Sequence, residues 1–222
     1  VQDGEMTLDG ATIANDRGAA TNFELSKGGP GTLRVADLTL SGSFAGTYSW
    51  GVYSGLLILN QNSSLSALDV YDGGTLAGTS TIDLGSATLK LDGTAAEPAA
   101  INPGDGIGTL TVTAGKVRFA DHADLVIELG AGADKLVVNG DLDLTALNDR
   151  LVLRRAATMA SGTYEIVRYT GNLLSHGDVN TNLWQFAAVE NEAGVAAYRL
   201  DYGTGEDSAI RLTVKGDPRG TM

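Results

Sequence analysis

Four aspartates in the first half of the chain raise the possibility of glycoside cleavage. They are Asp69, Asp72, Asp83 and Asp92, spaced about one strand apart, and Lys90 is the basic residue beside them. Two or three carboxylates on one face, often near Arg or Lys, are the groups that break glycosidic bonds. Only Asp69 and Asp92 have a spacing close to that of neighbouring strands in a repeating fold. We therefore expect turn and surface roles and assign no catalytic residue.

The segment "LGAGADKLV" (129–137) differs at one position from the calcium-binding nonapeptide Gly-Gly-x-Gly-x-Asp-x-apolar-x. The residues in register are Gly130, Gly132, Asp134 and Leu136, and Leu129 stands at the first glycine. That calcium fold shares each ion between adjacent turns and needs tandem copies, whereas this chain has a single copy. We expect Asp134 to cap backbone amides in a turn, and we assign no metal or cofactor site.

A second acidic group consists of Asp141, Asp143 and Asp149. Alternation places the first two on one face of a strand. A hard cation would need several more oxygens converging on the same point. The sequence therefore favours a solvated acidic face.

The histidines and aromatic residues offer weaker candidates. His122 and His176 are the two histidines, and with no G-x-S-x-G nucleophile motif we expect both to be exposed polar residues. Two aromatic groups would stack on sugar rings if they were exposed. They are Tyr48, Trp50 and Tyr53, and Tyr164, Tyr169, Trp184 and Phe186. We expect the second group, with Trp184 and Phe186, to shield the end of the fold from water.

The composition excludes several classes of protein. The net charge is −12 and the 15 basic residues are scattered, so nucleic acid is not an expected partner. The absence of cysteine excludes disulfides, thiolate metal sites and a thiol nucleophile. No apolar run approaches the ~18 residues of a membrane helix, so we expect no membrane insertion by this segment. With Val1 at its start and no signal peptide visible, we interpret the chain as a segment of a larger protein.

Short alternating apolar segments separated by glycine turns predict an all-β fold. The predicted strands are 32–40, 55–60, 66–72, 80–85, 87–93, 108–112, 116–120, 123–130, 134–140, 141–147, 149–155, 162–170, 184–191, 196–203 and 209–215. Three segments share the form of a turn, Thr-Leu in a short strand, and another glycine: 71–78, 85–93 and 106–115. This repetition favours a β-solenoid, in which aliphatic side chains stack between coils, over an antiparallel sandwich.

The corner "INPGDGIGTLTV" (101–112) concentrates a proline and three glycines. It lacks the Gly-Lys-Ser/Thr of a phosphate-binding loop, and no helix is predicted to follow it. Pro103 would fix φ, and Gly104 would permit a left-handed backbone. Gly106 and Gly108 would let the chain pass close to its neighbour. We predict a geometric role for this corner.

The order of these segments resembles the autotransporter-associated β-strand repeat. Its "tGxxxYtG", "GgtLxG" and "PGxSxGTLTV" elements are similar to 40–60, 70–82 and 101–112. Later segments resemble the end of such passengers: 124–144, 162–173 and 198–214. The resemblance covers about 40–214, and residues 1–39 match less well.

The resemblance implies a right-handed parallel β-helix with a C-terminal capping region, from a secreted or surface-exposed bacterial protein. We expect regular coils over 1–130, with the first ~40 residues less regular, and the last coils and cap over 131–222. The expected function is structural or adhesive and non-enzymatic. Host-surface or matrix glycans or proteins are the expected partners, and self-association through the coil ends is conceivable. The alternatives are a carbohydrate-binding or polysaccharide-cleaving module and a calcium-stabilised repeat.

Overall fold

The computed structural model describes residues 4–15, 23–42, 48–175, 186–203 and 208–215. These residues form strands and turns, and no helix occurs among them. The prediction of an all-β fold is therefore confirmed.

The first sheet has eight strands within the described residues, and all of its pairs are parallel. In spatial order its strands are β1 (Glu5–Leu8), β4 (Thr32–Val35), β7 (Gly55–Leu59), β10 (Gly74–Gly78), β13 (Ala99–Pro103), β15 (Ala123–Leu129), β17 (Arg150–Arg155) and β20 (Ala188–Asn191). Their order in space is also their order along the chain. Each strand is thus laid beside the previous one in the same direction.

The second sheet contains 12 strands within the same described ranges. Its main path is β3 (Phe23–Lys27), β6 (Tyr48–Val52), β9 (Ala67–Val70), β12 (Thr88–Leu91), β14 (Thr109–Phe119), β16 (Lys135–Leu144), β18 (Gly162–Tyr169), β22 (Ala209–Lys215) and β21 (Ala197–Tyr202). The short strands β8 (Ser63–Ser64), β11 (Thr81–Asp83) and β19 (Leu173–Ser175) join it at the side. Pairing is parallel as far as β18, and β18–β22 and β22–β21 are antiparallel.

A third, two-stranded parallel sheet pairs β2 (Ala11–Asn15) with β5 (Leu38–Gly42). The chain therefore visits the sheets in turn, and each stretch between successive strands of the first sheet is called a pass here. Residues at equivalent points of neighbouring passes lie side by side, as Thr75 does with Ala100. Parallel pairing continues past residue 130, where β15 pairs with β17.

The core lies between the sheets and consists of rows of aliphatic side chains. One row joins residues that are paired in register and fully buried: Leu57, Leu76, Ile101, Leu125 and Leu151. A second row from the other sheet contributes Val70, Leu91 and Phe119. Because side chains alternate along a strand, every second residue points inward. The outward positions are mostly polar, but on the first sheet Ala100, Val126 and Val152 form a separate buried apolar cluster. Each fully buried side chain of this size contributes about 1.5–3 kcal/mol.

The strand boundaries differ from the prediction at two glycines. Segments predicted as separate strands, 108–112 and 116–120, form the single strand β14, whose register shifts between Thr113 and Lys116. Similarly, 134–140 and 141–147 merge into β16. Gly115 and Gly140 lie where neighbouring backbones approach closely, since a Cβ on Gly140 would stand 1.9 Å from the Ala114 oxygen. These glycines therefore permit close packing within a strand and do not end it.

The N-terminal region contains strands that the sequence did not predict. Its strands β1 to β3 were not predicted, yet they pair in register with β4, β5 and β6. The predicted strand 32–40 is divided in two at Ala36 and Asp37.

Candidate ligand-binding face

The outer side of the second sheet carries two stacked tyrosines, Tyr53 and Tyr71. Each follows a valine at the end of its strand, and those valines, Val52 and Val70, are paired in register. Backbone hydrogen bonds extend the pairing by one residue, because the Tyr71 amide donates to the Val52 carbonyl at 2.8 Å. The rings stack with centroids 4.8 Å apart and an interplanar angle of 9°. Parallel register thus places both rings on one surface.

Carboxylates hold the hydroxyl end of each ring. Tyr53 donates to Glu24 Oε1 at 3.2 Å, and Tyr71 donates to Asp69 Oδ2 at 3.3 Å. Partial burial raises the pKa of Tyr71 to about 12, and the neighbouring Asp69 charge adds to the increase. Both hydroxyls therefore stay protonated, and both carboxylates are accepting hydrogen bonds.

Gly51 makes room for the exposed ring. A Cβ on Gly51 would stand 2.6 Å from Tyr53 Cε2, so a larger residue would displace the ring. Tyr53 remains 45% exposed in this position. The sequence had grouped Tyr53 with Trp50, but Trp50 points inward and is 4% exposed. The grouping was wrong because Trp50 and Tyr53 are three residues apart, and residues separated by an odd number of positions on an extended chain face opposite sides.

The aspartates singled out for catalysis separate into different environments. Asp69 lies beside Lys90 in register, and the Lys90 ammonium pairs with the Asp92 carboxylate two residues on. Asp83 instead accepts the Gly85 amide hydrogen at 2.9 Å in a turn, and Asp72 is exposed in the turn after β9. Asp69 and Asp92 therefore lie on the same outer surface as Tyr53 and Tyr71, which is called the tyrosine face here. Asp72 lies in a turn and Asp83 caps one, as expected.

The charged row continues along the same sheet. Asp69, Lys90, Arg118 and Asp143 occupy equivalent positions on four successive strands. Asp143 also faces Lys116, with Nζ and Oδ2 3.3 Å apart. The row has two basic residues between two aspartates, so its charges sum to zero and the row presents no concentrated field.

The second acidic group is mostly buried, which corrects the expectation of a solvated face. Asp143 is 5% exposed and accepts the Thr145 hydroxyl at 2.6 Å, and Asp149 is fully buried and accepts the Ala187 amide at 2.8 Å. Asp141 accepts the Asn172 amide at 2.7 Å. These carboxylates bind backbone and hydroxyl donors that strand ends leave available, a role that the sequence pattern did not reveal.

Asp134 caps two backbone amides, as predicted. Its Oδ1 accepts the Gly108 amide at 2.9 Å and its Oδ2 accepts the Glu128 amide at 2.8 Å. The side chain is fully buried, and burial raises its pKa to about 7. A calcium ion would have to displace both amide donors. In the described part of the chain, no group of three or more His, Cys, Asp or Glu residues is arranged to hold a metal.

The corner that Asp134 holds also reaches back over the first sheet. The Asp105 carboxylate pairs with the Arg34 guanidinium, 71 residues away, and accepts the Asn60 amide at 3.3 Å. Gly104 has φ +105°, which confirms the left-handed prediction. Gly106 was expected to allow close approach, but its Cβ direction is open and its φ of +85° is what requires glycine. A Cβ on Gly108 would meet the Thr79 side chain at 3.0 Å, so close approach is confirmed there.

The described residues among the histidines and the second aromatic group are partly or fully buried. His122 adopts φ +45° in a turn and is partly buried, with Nε2 3.8 Å from Asp121 Oδ1. Phe186 is 2% exposed and contacts Phe119 edge-on at 6.0 Å. Tyr169 is also buried, while Tyr164 is partly buried and donates to the Ala160 carbonyl at 2.8 Å. His176 and Trp184 lie outside the described residues.

A surface pocket of about 240 Å³ lies near β5 and β8. Val35, Leu38 and Trp50 form its apolar wall, and polar residues from 61 to 64 line the other side. The Gln61 side chain bonds both main-chain groups of Leu38, at 2.5 and 3.0 Å. The pocket thus lies between strands that a side-chain amide bridges.

No family model matches the chain, and no curated protein matches its sequence. Among the described residues, no helix has the length and apolar character needed to cross a membrane.

Of the residues on the tyrosine face, sequence reasoning identified Tyr53, Asp69, Lys90 and Asp92 and missed Glu24 and Tyr71. A signal for Tyr71 was present. The dipeptide Val-Tyr ends both "WGVY" (50–53) and "LDVY" (68–71), one pass apart. Glu24 had no such signal because its strand was not predicted.

Proposed function

We propose that the chain is a right-handed parallel β-helix segment of an exported bacterial surface protein. In this proposal it acts without catalysis, as a scaffold that presents a binding surface on its outer faces. The observation that carries it is the parallel register: each strand pairs with its equivalent on the next pass, and aliphatic rows fill the interior. Such stacking depends on the inward side chains, so the outward residues can vary and are available for binding.

The positions of the repeat-like motifs support this assignment. "GGTLAG" (73–78) contains the whole of β10, and "GTLTV" (108–112) leads into β14. Both motifs therefore occur where the chain leaves a corner and joins a sheet. This placement agrees with the form that the segments share in the sequence, a turn followed by Thr-Leu in a short strand.

The antiparallel end supports the capping role. β21, β22 and β18 reverse the pairing direction at the last strands of the second sheet. The reversal interrupts the parallel winding at the last strands, as a C-terminal cap would.

The scaffold is tested by distances between spin labels. The chain has no cysteine, so paired Cys substitutions at Glu5 and Ala188, or at Thr75 and Ala188, can be labelled selectively. These positions lie in one row of the first sheet, seven and four strand spacings apart. At ~4.8 Å per spacing we expect about 34 Å and about 19 Å by double electron–electron resonance. Equal distances for the two pairs would contradict the proposed stack.

The alternative of polysaccharide cleavage is favoured by one observation, the shared face of Asp69, Lys90 and Asp92. Lys90 pairs with Asp92, and Asp69 accepts the Tyr71 hydroxyl, so neither carboxylate is poised as a free acid or base. We therefore propose binding without cleavage. Incubation with neutral polysaccharides should release no reducing sugar, and release that Asp69→Asn and Asp92→Asn abolish would establish the enzyme instead.

A further inference from the structure

We propose that Tyr53 stacks on a pyranose ring of a neutral polysaccharide, with Glu24 accepting hydrogen bonds from the sugar hydroxyls. This inference rests on the proposed function and names the ligand class and the residues of its binding surface.

The contacts of the aromatic pair hold the Tyr53 ring rigidly. One face of the Tyr53 ring is covered by Tyr71, and its hydroxyl is fixed on Glu24. Gly51 leaves the space that the ring occupies. A ring held in this way loses little conformational entropy when a ligand binds, which is the condition for useful affinity at an exposed site.

The described residues leave one side of the Tyr53 ring open. The Tyr53 amide donates to the Lys27 carbonyl at 2.8 Å, so Gly28 occupies the equivalent point on the preceding pass. The row therefore runs from Gly28 through Tyr53 and Tyr71. Within the described part of the chain, a Cβ on Gly28 would meet no atom within 4 Å, so these residues leave space on the side of Tyr53 away from Tyr71. A planar ligand can enter this space and contact the ring.

Polar side chains of β3 lie beside that space. The Glu24 side chain is exposed, and Ser26 Oγ donates to Glu24 Oε1 at 3.3 Å. Carboxylate and hydroxyl groups beside an aromatic ring match a sugar, whose C–H face packs on the ring and whose hydroxyls donate to carboxylates.

The charge around the tyrosine pair indicates which class of glycan would bind. Among the charged groups nearest the tyrosine pair, Glu24, Asp69 and Asp92 outnumber Lys90. Lys116 and Arg118 lie farther along the row, where both face Asp143. The chain as a whole carries a net charge of −12. Polysaccharides with carboxylate or sulfate groups would be repelled. A neutral glycan pays no such penalty, and we therefore infer a neutral ligand.

The experiment titrates the whole chain with four neutral hexasaccharides, built from glucose, galactose, mannose or xylose, and with hexagalacturonate as the anionic comparison. We expect at least one neutral hexasaccharide to bind by isothermal titration calorimetry and hexagalacturonate to give no heat. Tyr53→Ala should weaken that binding about tenfold or more, because it removes the stacking surface. Tyr53→Phe should stay within about threefold of the original, since the ring remains.

Two further variants exclude trivial explanations. Tyr198→Ala removes another exposed tyrosine, 40% exposed on β21, and should leave binding unchanged. Gly28→Leu fills the open space beside the exposed face of Tyr53 and leaves both tyrosines in the sequence, so it should block binding while the thermal midpoint stays unchanged. Gly28→Leu also tests the site if Tyr53→Ala fails to fold.

Binding that persists in both Tyr53→Ala and Gly28→Leu would overturn the site, as would no binding of any neutral hexasaccharide at millimolar concentration. Neither result touches the label distances that test the scaffold. Conversely, binding that both variants abolish supports the site even if the label distances contradict the stack.

Discussion

At the scale of single residues, the least expected feature is the buried ammonium of Lys27. The side chain is 2% exposed, and its Nζ donates to the carbonyls of Gly29 at 2.7 Å, Ser54 at 2.8 Å and Gly28 at 3.2 Å. Burial lowers its pKa. A cation satisfied by carbonyl groups at a corner connects two successive passes, since Ser54 lies one pass beyond Lys27.

Replacing Lys27 should therefore be costly. Lys27→Met leaves three carbonyls without their charged donor, and we expect a loss of about 2–4 kcal/mol in the free energy of unfolding, measured by urea denaturation. Lys90→Met is the matched control, because Lys90 is part of an exposed ion pair with Asp92 and should change stability by at most about 1 kcal/mol. Equal effects of the two substitutions would show that the carbonyl contacts contribute nothing.

Asp134 predicts a specific dependence of stability on pH. Burial raises its folded-state pKa to about 7, above the unfolded value of 3.8. Its contribution is therefore greatest below pH 3.8 and is lost as the pH rises through 7. Relative to Asp134→Asn, the original chain should become more stable by about 1–3 kcal/mol between pH 8 and pH 5. Urea denaturation at both pH values measures this, and parallel changes in the two proteins would contradict it.

At the scale of elements, the strands are connected at points where only a hydrogen side chain fits. Gly78 and Gly104 exchange two backbone hydrogen bonds of 2.8 Å at the ends of β10 and β13. Gly78 has φ +122°, and a Cβ there would stand 1.9 Å from the Leu59 carbonyl oxygen. The end of β10 thus lies directly against the preceding strand β7.

Gly78→Ala should consequently disturb two strand pairs. The clash is with backbone and cannot be relieved by a side-chain rotation, so we expect a loss above about 3 kcal/mol in thermal or urea unfolding. Gly85→Ala provides the control, because Gly85 also has a positive φ, +58°, but its Cβ direction is open. That substitution should cost about 1 kcal/mol from backbone strain alone. A Gly78→Ala effect no larger than the control would mean that the approach of β7 and β10 is adjustable.

At the scale of the whole molecule, the register makes one pass removable. Thr75 is paired with Ala100, Lys90 with Arg118, and Ile82 with Val112. Residues 75–99 therefore make up one complete pass, with β10, β11 and β12, because Thr75 and Ala100 are equivalent positions on adjacent passes. Removing them would bring β7 beside β13 and β9 beside β14, with inward residues still facing inward.

We expect the deletion of 75–99 to fold. Its circular dichroism should retain the β-strand signal, and urea unfolding should remain cooperative, with a slope reduced in proportion to the shorter chain. Deletion of 75–87 is the control, because it removes β10 and β11 but keeps β12, so the passes no longer match. Cooperative unfolding of the control, or its absence in the full-pass deletion, would contradict the proposed stacking.

Local pattern was sufficient for much of this architecture. Alternating apolar residues identified β9 and β12 because inward and outward positions alternate along each strand, and β7 and β15 were recognisable as short apolar segments. The corner glycines were recognisable for a similar reason, since a left-handed backbone at Gly104 is a local requirement. Most strands between 55 and 155 could be predicted on this basis.

Only the tertiary structure decided which distant residues meet. Asp105 reaches Arg34, Tyr53 stacks on Tyr71, and Lys27 bonds to the Ser54 carbonyl, and each contact depends on how many residues every pass contains. That number is set by the packing of the whole aliphatic interior, because one slipped residue would turn a buried row outward. Alternation by itself therefore determined the direction of each side chain, and the packed stack determined its neighbours.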